Sequence, residues 1–186
     1  MKINLCFPTV FGTSDCPFIN EIQDKYKEII SSYKYEDHGF CYEEPHSNEK
    51  FRALNTWVND ELKKYIDAHL YQDKYECNDS WLLDYKVGSY QPAHNHPGCV
   101  FTALFFLEGY EQDVSLTFHN PVDDMMNPLN NQAKKKIDTN DFTHRVMKYP
   151  AKSGQLIIWR SHVMHSVDIK TADCRRIVFA YNFVKK

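Results

Sequence analysis

Apolar positions recur at helical spacing in the first third of the chain and change to short β-type runs afterwards. Phe18, Ile19, Ile22, Tyr26, Ile29, Ile30 and Tyr33 lie three or four residues apart or adjacent, after a Pro17 suited to a first helical turn. They predict a helix over 18–33. A second predicted helix runs from about Glu49 to Leu70, with Phe51, Leu54, Trp57, Val58, Leu62, Tyr65 and Ile66 as its apolar face. Between them, Tyr35 to Asn48 carries Gly39, Pro45 and many polar residues and reads as a loop. From Trp81 onward the runs are short and rich in Val, Ile, Phe and Tyr. Predicted strands are Trp81–Val87, Val100–Leu107, Val114–Phe118, Arg145–Tyr149, Gln155–Trp159, Ser166–Ile169 and Arg176–Val184. Helices first and many strands later predict a mainly β (α+β) fold, a jelly-roll-like double sheet with the N-terminal helices packed outside.

At 186 residues the chain is expected to form one domain. Residues 1–78 would supply an N-terminal strand and supporting helices, and residues 79–186 the β core. One stretch breaks the strand rhythm. Asn120 to Thr143 is polar and holds Pro121, Pro128 and the run Lys134–Lys136. A loop of that length in a compact domain is a candidate lid, or else a solvated insertion.

Composition narrows the classes. Twelve Tyr and twelve Phe suit half-buried pleated surfaces, and only six Gly are present, so each marks a special backbone position. Net charge is −3 with acids and bases mixed, which argues against charge-driven binding to nucleic acid or membrane. The six cysteines form no Cys-x-x-Cys pair, which argues against a zinc knuckle or a thioredoxin-like site. The opening Met1–Pro8 is too short an apolar run for a secretion signal, and nothing approaches the ~20 apolar residues of a membrane span. A soluble, reducing, cytoplasmic setting is expected.

Of nine histidines, three are candidates for chemistry. His94 and His96 are two apart, and on an extended strand such residues point to one face, where two imidazoles can meet one ion. His165 follows the apolar strand Gly154–Arg160 and precedes another strand. Three imidazoles leave coordination positions open, and imidazole suits Fe, Zn, Cu and Ni alike. The alternative is that His94 and His96 are surface residues. Arg175 and Arg176 open an otherwise apolar strand, Ile177–Asn182. One of them facing inward would need an anionic partner, for which a carboxylate taken bidentately is natural. Alternatively, both flank the strand at the surface.

The series Tyr85…Gly88…His94-Asn95-His96, then Phe105-Phe106-Leu107, then Gly154-Gln155-Leu156-Ile157-Ile158-Trp159…His165…Arg176 resembles the Fe(II)- and 2-oxoglutarate-dependent oxygenases. The prolyl-4-hydroxylase-like branch is nearest, and Phe7-Pro8-Thr9 with His94-Asn95-His96-Pro97 is similar to a bacterial and phage subgroup carrying His-x-His-Pro. The resemblance spans nearly the whole chain. It implies a double-stranded β-helix with cupin-like topology. It implies His94, His96 and His165 as ligands of Fe(II), Arg176 on the distal carboxylate of the cosubstrate 2-oxoglutarate, and Tyr85 as a hydrogen-bonding residue for that cosubstrate. His162 falls outside the pattern. The implied activity is a hydroxylase that couples oxidative decarboxylation of 2-oxoglutarate to oxidation of a substrate left open: a peptide or prolyl side chain, or a metabolite.

Three departures bear on that reading. His96 stands where the family has aspartate, which raises the charge of the metal site by one. Val178 stands where a Ser or Thr often assists the arginine, and Phe106 where a Tyr is common, so the cosubstrate pocket is short of hydroxyls. Two rival readings share the fold. One is a cupin-like three-histidine metalloenzyme that does not use 2-oxoglutarate. Gly88 and His94-Asn95-His96 fit its opening, but Phe101 stands near the place of its glutamate, and Arg176 has no role in it. The other is a non-catalytic metal-binding module.

Overall fold

The computed structural model describes residues 8–36, 39–41, 43–69, 71–112, 116–121 and 146–186. Among these, ten strands and two α-helices follow one another along the chain. They are β1 (Phe11–Asp15), α1 (Ile19–Ser31), β2 (Phe40–Cys41), α2 (Arg52–Ala68), β3 (Tyr75–Tyr85), β4 (Gln91–His94), β5 (Phe101–Glu108), β6 (Leu116–His119), β7 (Val146–Tyr149), β8 (Gln155–Arg160), β9 (His165–Val167) and β10 (Arg176–Lys185). Two short 3-10 turns, Pro45–Ser47 and Glu49–Phe51, lead into α2. No described helix is long and apolar enough to cross a membrane.

The strands form two antiparallel sheets, one of six strands in the order β1-β8-β5-β10-β3-β2 and one of four in the order β4-β9-β6-β7. This is the double-stranded β-helix expected above. Side chains alternate across the large sheet with the period-two rule. Phe179, Tyr181 and Phe183 of β10 and Phe101, Phe105 and Leu107 of β5 pack with Ile22, Tyr26, Ile30, Phe51, Leu54, Val58 and Leu62 of the helical segment. Val178 of β10, Leu104 and Phe106 of β5, Ile157 and Trp159 of β8 and Leu83 and Tyr85 of β3 face the other way. There they meet Leu116 and Phe118 of the small sheet.

Several boundaries differ from expectation. β3 begins at Tyr75 rather than Trp81, because its polar first half pairs along β10 as far as Lys185. Tertiary pairing thus extends a strand that local hydrophobicity does not announce. β4 ends at His94, and Cys99 N–H bonds back to the His96 carbonyl (3.3 Å) through a turn in which Gly98 has φ +84°. His96 therefore lies beyond the strand rather than on it. β9 begins at His165 itself. Between β3 and β4 the chain reverses at Gly88, whose φ of +87° is open to glycine at no steric cost. Its N–H bonds to the Lys170 carbonyl at 2.8 Å. The candidate lid, Asn120 to Thr143, lies outside the described residues beyond Pro121, as do the first residues of the strands expected at Val114 and Arg145.

Candidate metal centre

The three histidines come from two neighbouring strands and a turn. In the β4–β9 ladder His94 stands directly opposite His165, and on its other side β9 pairs His165 with Phe118 of β6. His96 is held by its own backbone, whose N–H bonds to the Ser161 carbonyl at 3.0 Å. One ligand atom from each ring lies within 4.8 Å of the others.

Ring orientation is set by backbone carbonyls. His94 Nδ1 is 2.8 Å from the Pro92 oxygen, and His165 Nδ1 is 3.1 Å from the Val163 oxygen. A carbonyl only accepts, so each Nδ1 carries the proton and each Nε2 presents a lone pair. His96 Nε2 lies 3.2 Å from His165 Nε2. Two nitrogens each about 2.1 Å from one ion, at tetrahedral or octahedral angles, lie about 3.0–3.4 Å apart. The spacing is that of two ligands of one ion. Burial, followed by the neighbouring His94, pushes the His96 pKa down to about 4. Burial is also the largest cause for His165, with His94, His96 and His119 adding to it against the opposing Val163 bond, and its pKa falls to about 3. Both imidazoles are neutral at neutral pH, the form that binds metal.

The arginine pair separates across β10. Arg175 points outward to Asp84, with Nε and a terminal nitrogen 3.2 and 3.0 Å from the same carboxylate oxygen. Arg176 turns inward and is 1% exposed, with its guanidinium carbon 3.9 Å from the centre of the Tyr85 ring. Tyr85 donates to Gln91 Oε1 at 3.3 Å. Burial raises the Tyr85 pKa to about 12, partly opposed by Arg176, so the phenol keeps its proton. Tyr85 and Arg176 line a cavity of about 10 Å³ whose other walls are Leu104, Phe106, Leu116, Val167 and Val178. That is room for about one water, so a dicarboxylate enters only if an apolar wall gives. The donor set still fits such a group, with one guanidinium and one phenol at the end of an apolar slot. Val178 and Phe106 both stand on its wall and offer no hydroxyl.

Two residues that sequence reasoning missed border the triad. Trp81 stacks on His96 with ring centres 5.7 Å apart, and Trp159 meets His165 edge-on at 5.0 Å. Both indole N–H groups are buried without a hydrogen-bond partner among the described residues, so polar acceptors are wanted beside the histidines. Period two counted back from Tyr85 through Leu83 was the available signal for Trp81. His162 sits on the exposed turn after β8 and is not part of the triad.

The fold has many solved counterparts. HygX from Streptomyces hygroscopicus, in a structure with nickel and 2-oxoglutarate bound, is 15% identical over 94% of this chain and 82% of its own, with a TM-score of 0.66. The viral collagen prolyl hydroxylase of Paramecium Bursaria Chlorella virus-1, a 2-oxoglutarate complex, is 15% identical over 97% of this chain and 98% of its own, with a TM-score of 0.63. A 2OG-Fe(II) oxygenase family oxidoreductase from Burkholderia pseudomallei is 10% identical over 93% and 83%, with a TM-score of 0.64. At such identities the likeness establishes the fold. No curated protein matches the chain. The family model described as "Putative 2OG-Fe(II) oxygenase" matches residues 79–182, more than half of the chain and the whole stretch from β3 into β10. With that match, the chain belongs to the 2OG-Fe(II) oxygenase family, whose members depend on Fe(II) and 2-oxoglutarate.

Proposed function

We propose that His94, His96 and His165 hold the Fe(II), and that Arg176 with Tyr85 takes the distal carboxylate of 2-oxoglutarate, in a hydroxylase acting on a peptide side chain or a metabolite. The observation that carries this reading is the convergence of three imidazole ligand atoms within 4.8 Å, next to a strand that turns one arginine into the same interior. When bound, the metal and cosubstrate supply oxygen activation. The chain's own residues do the rest. Pro92 and Val163 fix the tautomers of two ligands. Trp81, Trp159 and Phe118 wall the histidines with rings that exclude water. Arg176 supplies a permanent positive charge for a carboxylate, and Tyr85 a neutral donor beside it.

A single domain over residues 1–186 is part of this reading, supported among the described residues by one core that joins α1 and α2 to the large sheet. A reducing, cytoplasmic setting is supported by five free cysteines among the described residues. His96 in place of a carboxylate favours one rival, a three-histidine metalloenzyme that does without 2-oxoglutarate.

The test is succinate formation. Protein purified without air and given Fe(II) and 2-oxoglutarate should release succinate, and His165→Ala should release none. Oxygen consumption without turnover of 2-oxoglutarate would select the rival. Failure to bind any metal would overturn both.

A further inference from the structure

One half-buried cation has no acidic partner among the described residues. Arg160 ends β8 one residue after the inward Trp159, so it faces the other side of the large sheet. Its guanidinium carbon lies 5.5 Å from the centre of the Tyr71 ring. It makes no ion pair with any described residue, and its Nε is buried without a hydrogen-bond partner among them. Arg175, by contrast, is neutralised by Asp84. Stacking on an aromatic ring holds a guanidinium in place without cancelling its charge.

Arg160 opens on a cleft of about 490 Å³ whose walls include Thr9, Val10, His69, His162 and Val163, and among the described residues no Asp or Glu lines it. That volume lies within the range of small-molecule sites. The wall is built rather than loose. Tyr65 donates its hydroxyl to the Val10 carbonyl at 2.9 Å, and His69 Nδ1 is tied to the Tyr65 carbonyl at 2.5 Å.

The cleft adjoins the metal centre through shared backbone. Val163 N–H bonds to the Arg160 carbonyl at 3.0 Å and closes the turn after β8. Within that turn the Ser161 carbonyl takes the His96 N–H, and the Val163 carbonyl takes the His165 ring N–H. Val163 thus both lines the cleft and orients His165, and Ser161, between Arg160 and His162 in the same turn, holds His96. One turn, from Arg160 to Val163, therefore borders the cleft and holds two of the histidines.

We propose that this cleft binds an oxyanion of the substrate, a carboxylate or a phosphate, on the Arg160 guanidinium, with the Thr9 hydroxyl and the His162 ring as neighbouring polar groups. The proposal rests on the oxygenase reading and adds to it a substrate class: molecules that bear an anionic group as well as the carbon that is oxidised. It is separate from the Arg176 slot, which lies on the opposite face of the large sheet.

The test uses the full chain loaded with nickel and 2-oxoglutarate, so that no turnover occurs and the Arg176 slot is filled. Inorganic phosphate and acetate are titrated separately by calorimetry at fixed ionic strength. At least one should bind saturably, and the preferred one names the source of the oxyanion. Arg160→Gln should weaken that probe by about tenfold or more, the scale of a lost charge-assisted pair. Arg160→Lys, which keeps the stem and the charge and spares the fold, should fall between the two because it lacks the planar fork. Equal binding by wild type and Arg160→Gln, or no saturable binding of either probe, would overturn the proposal. Nickel and 2-oxoglutarate titrations are recorded alongside. Their failure in the wild type counts against the metal-site reading alone, since both probes can still be titrated into the metal-free chain.

Discussion

The two faces of the large sheet divide the work of the molecule. On β10, Phe179, Tyr181 and Phe183 face the helices within a packing of aromatic and aliphatic rings. On the same strand, Arg176 and Val178 face the other sheet, where His165, Tyr85, Trp81 and Trp159 gather. Neighbouring residues differ only in parity. One face contributes burial and keeps the strands in register. The other gives up some of that burial to hold a guanidinium, a phenol and imidazoles away from water, which costs free energy unless a ligand compensates. A strand can serve stability and chemistry at once because its side chains alternate.

The comparison can be broken from either side. The largest effect is expected at His165, where substitution by Ala should abolish nickel binding in a titration while the circular dichroism of the sheets persists. Next, on the helix face, Phe179→Ala removes a fully buried ring 5.1 Å from Phe51 and 6.3 Å from Phe105. It should cost about 3–5 kcal/mol in urea unfolding. The fraction that stays folded should bind nickel as the wild type does. If metal affinity drops with stability, the two faces are coupled and the division fails. On the interior face, Arg176→Gln should leave nickel binding intact and weaken 2-oxoglutarate by about 2–4 kcal/mol in calorimetry, the scale of breaking a desolvated charge pair. Arg175→Gln should leave it unchanged, since Arg175 serves Asp84 at the surface.

A separate prediction concerns pH. The folded-state pKa values of His96 and His165, about 4 and about 3, lie below the ordinary 6.5. From pH 6.5 down to about 4 the unfolded chain therefore takes up protons that the metal-free folded chain refuses. Stability should fall as pH falls through that window, by at most about 1.4 kcal/mol per pH unit for each histidine. A flat stability profile in urea between pH 6.5 and 5 would show that neither ring is buried neutral.

Local pattern carried much of the site. The spacing of Phe51, Leu54, Val58 and Leu62 announced α2, and the apolar run Arg176–Val184 announced β10, though not which of its faces is which. It did not announce the first half of β3, whose polar residues are extended only because β10 lies beside them. Nor did it reveal that β4 stops at His94. The two neighbouring histidines converge through a turn at Pro97 and Gly98, with ring centres 5.2 Å apart, rather than by lying on one strand face. Trp81 was within reach of the period-two argument, whereas the stacking of its ring on His96 was not.

By itself the sequence determined the class of fold, the imidazole triad as candidates, and a pair of adjacent arginines of which one could face inward, Arg176 being picked out by the family resemblance. These are properties of short windows, set by residue type and by the periods of helix and strand. Only the tertiary structure decided that His165 stands opposite His94, that Arg176 faces Tyr85 in a slot with little free volume, and that Arg160 opens on a separate cleft beside the same turn. Each of those depends on the register of strands distant along the chain, and register follows from the packing of both sheet faces at once.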